Sequence, residues 1–204
     1  MEQPKAIADI RLLGGHPVLD FVNTVDAWRD RWGPDFLLSY ADLVDWAQLV
    51  GLIEPGHGER LRGVARQDPP DAAEALGRAR ALRETLHALF LAEADGETPT
   101  PSDTIQLDAI VHDAALHRRL SYREGVFGWR WFDDDDLDAV IRHIALAAAD
   151  LLVARAQRRP VRECRGRNCG WLFLDTSRGG RRRWCSDETC GSHARVLRFR
   201  QKAE

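Results

Sequence analysis

Cys164, Cys169, Cys185 and Cys190 are the only cysteines in a chain of 204 residues, and they share one short segment, "CRGRNCGWLFLDTSRGGRRRWCSDETC". Each pair encloses four residues, and fifteen residues join the pairs. Thiolates in this arrangement do metal chemistry. Two short pairs joined by a hairpin-length spacer match a treble-clef or ribbon-like Zn²⁺ site, each pair wrapping one side of the ion. Four thiolates close a tetrahedral shell and leave no position for water. One Zn²⁺ is therefore expected, structural rather than catalytic. Two disulfides are an alternative. The N-terminus "MEQPKAIADIRLLGG" lacks the basic and apolar regions of a secretory signal, however, so a bacterial-type cytoplasm with reduced thiols is expected. Reversible oxidation of the site stays open. A thioredoxin-type pair has two residues between its cysteines, not four.

A module of this size buries too little apolar surface to order itself, and a metal would supply the missing free energy. The spacing predicts a strand over "WLFLD", a turn over "TSRGG", a returning strand over "RRRWC" and a final helix over "GSHARVLRFRQKAE". Charge follows the same division. Residues 161–204 carry eleven Lys or Arg against five Asp or Glu, whereas the first 160 carry eighteen against twenty-seven. Arg178, Arg181, Arg182 and Arg183 crowd the turn, and Arg195, Arg198 and Lys202 share a face of the final helix. Beside a rigid metal core such a set suits phosphate contacts, and DNA is the expected partner. A solvated, salt-bridged face is the alternative.

The elements ahead of this module are helical. Ser39 caps a helix through "YADLVDWAQLVGLI", which Pro55 and Gly56 end. A shorter helix stops at Pro69-Pro70, and residues 71–94 place Leu76, Ala79, Leu82, Leu86, Leu89 and Phe90 on one stripe. A further helix is expected within 103–118. "RRLSYREGVFGWRWF" then alternates as a β-hairpin does. "DDDD" at 133–136 suits the positive end of a helix over 135–157, because four consecutive carboxylates cannot converge on Ca²⁺ or Mg²⁺ without a shaped loop. Near the start, "LDFVNTVDAWRDRW" sets Asn23, Thr24 and Trp28 at the edge of a core made by Leu19, Phe21, Val22 and Val25. That combination suits orientation of a small ligand. Local capping by Asn23 and Thr24, with Trp28 as core, is the equal alternative.

No Gly-rich phosphate loop, G-x-S-x-G elbow or H-E-x-x-H is present, and the histidines at 16, 57, 87, 112, 117 and 143 lack local nucleophile partners, so no enzyme is expected. "IALAAADLLVA" is too short to span a bilayer and is broken by Asp150, so no membrane partner is expected.

"CGWLFLDTSRGGRRRWCS", followed by a second Cys pair and a basic helix, resembles the CGNR-type zinc finger. The naming motif departs: Cys190-Gly191-Ser192-His193 stands where the family has Cys-Gly-Asn-Arg, so one guanidinium is replaced by an imidazole. Upstream, "GGHPVLDFVNTVDAW" and "LLSYADLVDWAQLVGLI" resemble the ABATE domain of stress-induced transcription regulators. The resemblance implies a helical ligand-sensing domain coupled to a DNA-binding zinc module. The expectation is a mainly α protein. Residues 1–158 form a helical domain with a small β-hairpin, and residues 159–204 a treble-clef-like zinc finger of β-hairpin and helix with its own separate core. Its expected function is zinc-containing, DNA-binding transcriptional regulation in response to a small ligand or stress. A zinc-stapled RNA- or protein-binding module is the alternative. Ligand, operator and oligomeric state stay open.

Overall fold

The structure, a computed structural model, describes residues 7–28, 34–132 and 134–201. Lys202 and Asp133 lie outside them.

Proline starts most of the helices. Helix α1 (Pro17–Val22) is capped by His16, whose Nδ1 accepts the Val18 N–H at 3.2 Å. Helix α2 (Tyr40–Leu49) opens on a reciprocal capping box between Ser39 and Asp42. Helices α3 (Pro55–Gln67), α4 (Pro69–Asp95) and α5 (Pro101–Leu116) each carry proline in the first turn, where the missing N–H has no intrahelical partner to lose. Pro55 and Pro69, expected as stops, thus open the next helix. Helix α4 ends at Gly96, whose φ of 73° is the left-handed value that glycine accepts without strain.

The α4 stripe expected from sequence is buried throughout, against α1, α2 and helix α6 (Ala139–Val153). Phe21 of α1 meets Trp46 of α2 at 5.1 Å between ring centroids, and both are fully buried. Among the described residues no helix is long and apolar enough to cross a membrane.

Strands β1 (Arg118–Arg123) and β2 (Val126–Trp131) pair antiparallel across Glu124 and Gly125, both at positive φ, the turn whose twist matches a tight hairpin. Leu120 faces Trp129 and Tyr122 faces Phe127, and all four side chains are exposed.

The aspartate run differs from expectation. Helix α6 begins only at Ala139, and no side chain caps it. Asp134 is buried instead and takes bonds from Arg142 and His143 of that helix. Buried charge of this kind must be paired, and the pairing draws the run away from the helix axis.

In the C-terminal segment, β3 (Val161–Glu163) pairs antiparallel with β4 (Leu172–Leu174), followed by helix α7 (Ser192–Gln201). "RRRWC" is not the returning strand. Its backbone is held by other groups: the Arg182 N–H donates to Asp175 Oδ2 at 3.1 Å, the Arg183 carbonyl accepts the Arg165 N–H at 2.9 Å, and the Cys185 N–H donates to Cys164 Sγ at 3.2 Å. Nor is the core of this segment separate. Val161 and Leu172 belong to the helical core, while Cys164, Trp171, Phe173 and Cys185 form a small cluster of their own on which Leu13 and Trp28 pack.

Candidate metal centre and the groove beside it

Cys164 follows directly on β3, its N–H donating to the Trp171 carbonyl at 2.8 Å. The chain then turns tightly, with the Cys169 N–H on the Gly166 carbonyl. Gly166 is required there, because a Cβ would lie 2.8 Å from Cys190 Sγ. Cys190 sits in a single π-helical turn, Asp187–Gly191, that runs into α7 and is capped by Ser186 Oγ.

The four sulfurs lie within 4.8 Å of one another, and Cys185 Sγ is 3.7 Å from both Cys169 Sγ and Cys190 Sγ. Metal–sulfur bonds of about 2.3 Å in a tetrahedron set sulfurs about 3.8 Å apart, so the observed edges fit such a shell. Cys164 also accepts the N–H groups of Gly166 and Cys185, the donors that a thiolate needs. Hydrogen bonding from Cys169, then Cys185 and Cys190, pulls the Cys164 thiol well down, and the same pairing pushes Cys169 up. Four thiols this close cannot all ionise without a cation to offset their charge. By donor set and geometry the cluster could hold a metal ion.

A cleft of about 1140 Å³ runs between this centre and α7. Arg11, Arg165, Arg167, Arg183, Arg198 and Arg200 line it with His193, against a single carboxylate, Asp26, among the described residues. Its field is therefore positive. Arg11 also approaches Glu188 at 3.6 Å.

The arginines expected from sequence separate into four groups. Arg183 and Arg198 enter the cleft, Arg183 lying 5.3 Å over the Trp184 ring. Arg178 and Arg181 are exposed at the tip of the turn after β4, away from the cleft, and Arg195 turns to the Asp187 carbonyl at 3.1 Å. Arg182 is turned inward. It donates to the carbonyls of Trp184 (2.9 Å) and Cys185 and lies 4.4 Å over Phe173, so its fork is spent on folding the centre. Arg165, Arg167 and Arg200 were missed from sequence. Two of them flank Gly166 inside the first cysteine pair, a position next to the metal by spacing alone.

Asn23 and Trp28 meet the finger, Thr24 bonds within the body, and the polar atoms of all three are engaged by protein. Asn23 Nδ2 donates to the Leu172 carbonyl and Asn23 Oδ1 accepts the Leu172 N–H, both at 2.9 Å, so the side chain pairs with β4 as a neighbouring strand would. Thr24 Oγ1 donates to the Phe21 carbonyl and accepts from Arg83, which is itself paired with Asp35 at 2.7 and 2.8 Å. The Trp28 N–H donates to the Cys169 carbonyl at 2.7 Å, and Trp171 Nε1 returns a bond to Val25. The Trp28 indole stacks 3.9 Å from the His87 ring, and burial pushes His87 down to about 4. Thr24 thus bonds locally, as expected of a capping residue, whereas Asn23 reaches across the chain to β4 rather than capping locally. Asn23 and Trp28 clamp the finger to the body.

Residues 15–155 match the ABATE family model, described as "Putative stress-induced transcription regulator", and residues 160–203 match the CGNR zinc finger. The chain belongs to the ABATE family and carries a C-terminal CGNR zinc finger. Both are regulatory or zinc-finger families rather than catalytic ones. No curated protein matches the chain.

Proposed function

We propose that the chain is a DNA-binding transcription regulator whose finger holds one structural Zn²⁺ through Cys164, Cys169, Cys185 and Cys190. A stress-linked or small-molecule signal would be received by the body, residues 1–158, and passed to the finger, residues 159–204. A cytoplasmic location, where thiols stay reduced, goes with this reading.

The observation that carries it is the arginine-lined cleft against the sulfur cluster. Arg165, Arg167, Arg183, Arg198 and Arg200 present guanidinium groups on a scaffold that the metal would hold rigid, and the family description supplies the regulatory context. Phosphate oxygens are the matching ligand, since planar forks bind them in pairs. His193 also lines the cleft, in place of the family's arginine.

Anisotropy of a labelled duplex tests this. With four phosphates neutralised, affinity should fall roughly 100-fold between 50 and 200 mM salt. Stripping the metal should abolish binding. Undetectable duplex binding at low salt, with metal bound, would reject the DNA reading in favour of an RNA or protein partner.

A further inference from the structure

The helical body holds a second cluster with the donors of a metal shell. A ring nitrogen of His57, a ring nitrogen of His143 and a carboxylate oxygen of Asp134 lie within 4.8 Å of one another. They converge from the first turn of α3, the turn after β2 and the second turn of α6. Asp134 and His143 are buried and His57 nearly so, its side chain 12% exposed.

The surrounding bonds aim the Asp134 and His143 atoms at each other, with His57 close beside them. Arg142 donates to Asp134 Oδ1 from Nε (3.2 Å) and Nη2 (3.0 Å), and also to Asp136 Oδ1 (2.7 Å). That commits one oxygen of Asp134 and turns the other toward the histidines. His143 Nδ1 lies 3.1 Å from the Leu52 carbonyl, which can only accept, so Nδ1 carries a proton. Nε2 then faces Asp134 Oδ2 at 2.7 Å. Two lone pairs cannot oppose each other at that distance in a buried site, so a cation, proton or metal, belongs between them. His57 Nε2 is 2.7 Å from the Asp134 carbonyl, 4.0 Å from Asp134 Oδ2 and 3.6 Å from Asp135 Oδ1.

We propose that His57, Asp134 and His143 bind one divalent first-row transition-metal ion, at a site distinct from the four cysteines. Bonds of about 2.0–2.2 Å from nitrogen and oxygen donors set neighbouring ligands about 3.0–3.5 Å apart, and the separations of 2.7 and 4.0 Å bracket that range. Two imidazoles and a carboxylate suit Zn²⁺, Ni²⁺, Co²⁺ or Fe²⁺, whereas Mg²⁺ and Ca²⁺ prefer all-oxygen shells. The Nδ1–H to Leu52 bond and the Arg142 fork are the outer contacts that orient such ligands. Three protein donors leave positions open to water, so the ion would exchange more readily than one enclosed by four thiolates. Metal capture displaces the proton between His143 Nε2 and Asp134 to solvent, while the proton that His57 Nε2 shares with the Asp134 carbonyl passes to Nδ1 of the same ring, freeing Nε2 as a ligand.

The site has a natural readout. The Trp131 ring, at the end of β2, stacks 3.8 Å from the His143 ring at 13°. An ion held there would tie α3 and α6 to the base of the exposed β1–β2 hairpin. The site stands whether or not the finger binds DNA.

Full-length protein carrying metal in its finger would be dialysed against Ni²⁺ or Zn²⁺ at pH 7.5 and its total metal measured. The expected result is two equivalents per chain for wild type and one for His57→Gln, with affinity for the second lowered about 100-fold or more. Ni²⁺ should quench tryptophan fluorescence in the wild type and much less in Trp131→Phe. His57→Gln keeps an amide donor for the Asp134 carbonyl, so an unchanged melting temperature separates lost ligation from lost folding. Asp134→Asn serves as a second ligand variant wherever its circular dichroism is native. A single equivalent in wild type at about 0.1 mM free metal, meaning that a proton alone bridges His143 and Asp134, would overturn the proposal. So would a second equivalent undiminished in His57→Gln.

Discussion

The helical body and the finger are ordered by different means. The body buries long apolar stripes: α4 alone contributes eight buried apolar residues, and the core they join runs through α1, α2 and α6. The finger has four buried residues in its own cluster, two of which are cysteines of the sulfur cluster, and α7 buries none. What it lacks in apolar burial comes from two outside sources. One would be the metal proposed for the sulfur cluster. The other is the body, through Val161 and Leu172 in the helical core and through the Asn23, Trp28 and Trp171 hydrogen bonds. A small module can therefore be rigid without a core of its own, provided that its hairpin is built into a larger one.

The comparison breaks most visibly when the metal is removed. Cys185→Ser should cost the centre its ion, which in isolated zinc-finger peptides is worth about 10–16 kcal/mol of apparent binding free energy. The turn around Cys185 and Cys190 and helix α7 should lose hydrogen-exchange protection, while β3 and β4 keep theirs because Val161 and Leu172 sit in the body's core. Uniform loss across residues 161–201 would mean that the hairpin depends on the metal after all.

A smaller effect is expected at the clamp. Asn23→Ala leaves the buried N–H and carbonyl of Leu172 without their partner, at about 1–3 kcal/mol for each group. Unfolding by denaturant should show a total loss of about 2–4 kcal/mol. A loss below about 0.5 kcal/mol would contradict a structural Asn23.

The smallest effect concerns pH. His87, stacked on Trp28 at the junction, has its imidazole held down to about 4, chiefly by burial and against a hydrogen bond that the ring donates to the Gly170 backbone. Its folded value lies below the unfolded one near 6.5, so protons favour the unfolded chain. The stability it contributes is complete above pH 6.5 and is lost as pH falls toward 4. Asp20, raised to about 6 by burial, acts in the opposite sense, favouring the folded chain as pH falls through 6. His87→Phe should therefore flatten the decline in melting temperature between pH 6.5 and 4, and an unchanged decline would place its cause elsewhere.

Much of this was legible in the sequence, for identifiable reasons. Helical stripes repeat every three or four residues, so Leu76 to Phe90 announced their shared face. The cysteine spacing carried the centre because the ligand loops are local. Pairings across the chain were not legible: Asn23 and Leu172 are 149 residues apart, and an Asn before Thr reads as local capping just as well. Adjacent arginines gave no sign that Arg182 folds inward while Arg183 faces the cleft, since Phe173 and two backbone carbonyls make that choice. The aspartate run read as a helix start because its partners, Arg142 and His143, looked like ordinary residues of the following helix.

The most direct test of the central claim, that the cleft beside the sulfur cluster contacts phosphate, compares two sets of arginines in one assay. Arg165, Arg167 and Arg198 line the cleft, while Arg178 and Arg181 lie at the exposed tip. Duplex affinity would be measured against salt for the triple alanine variant of the cleft and the double alanine variant of the tip, each with its metal in place. The cleft variant should lower the log–log slope by about 3, one for each phosphate no longer neutralised, and the tip variant should leave it unchanged. A flattened slope in the tip variant beside an unaltered cleft variant would contradict the account.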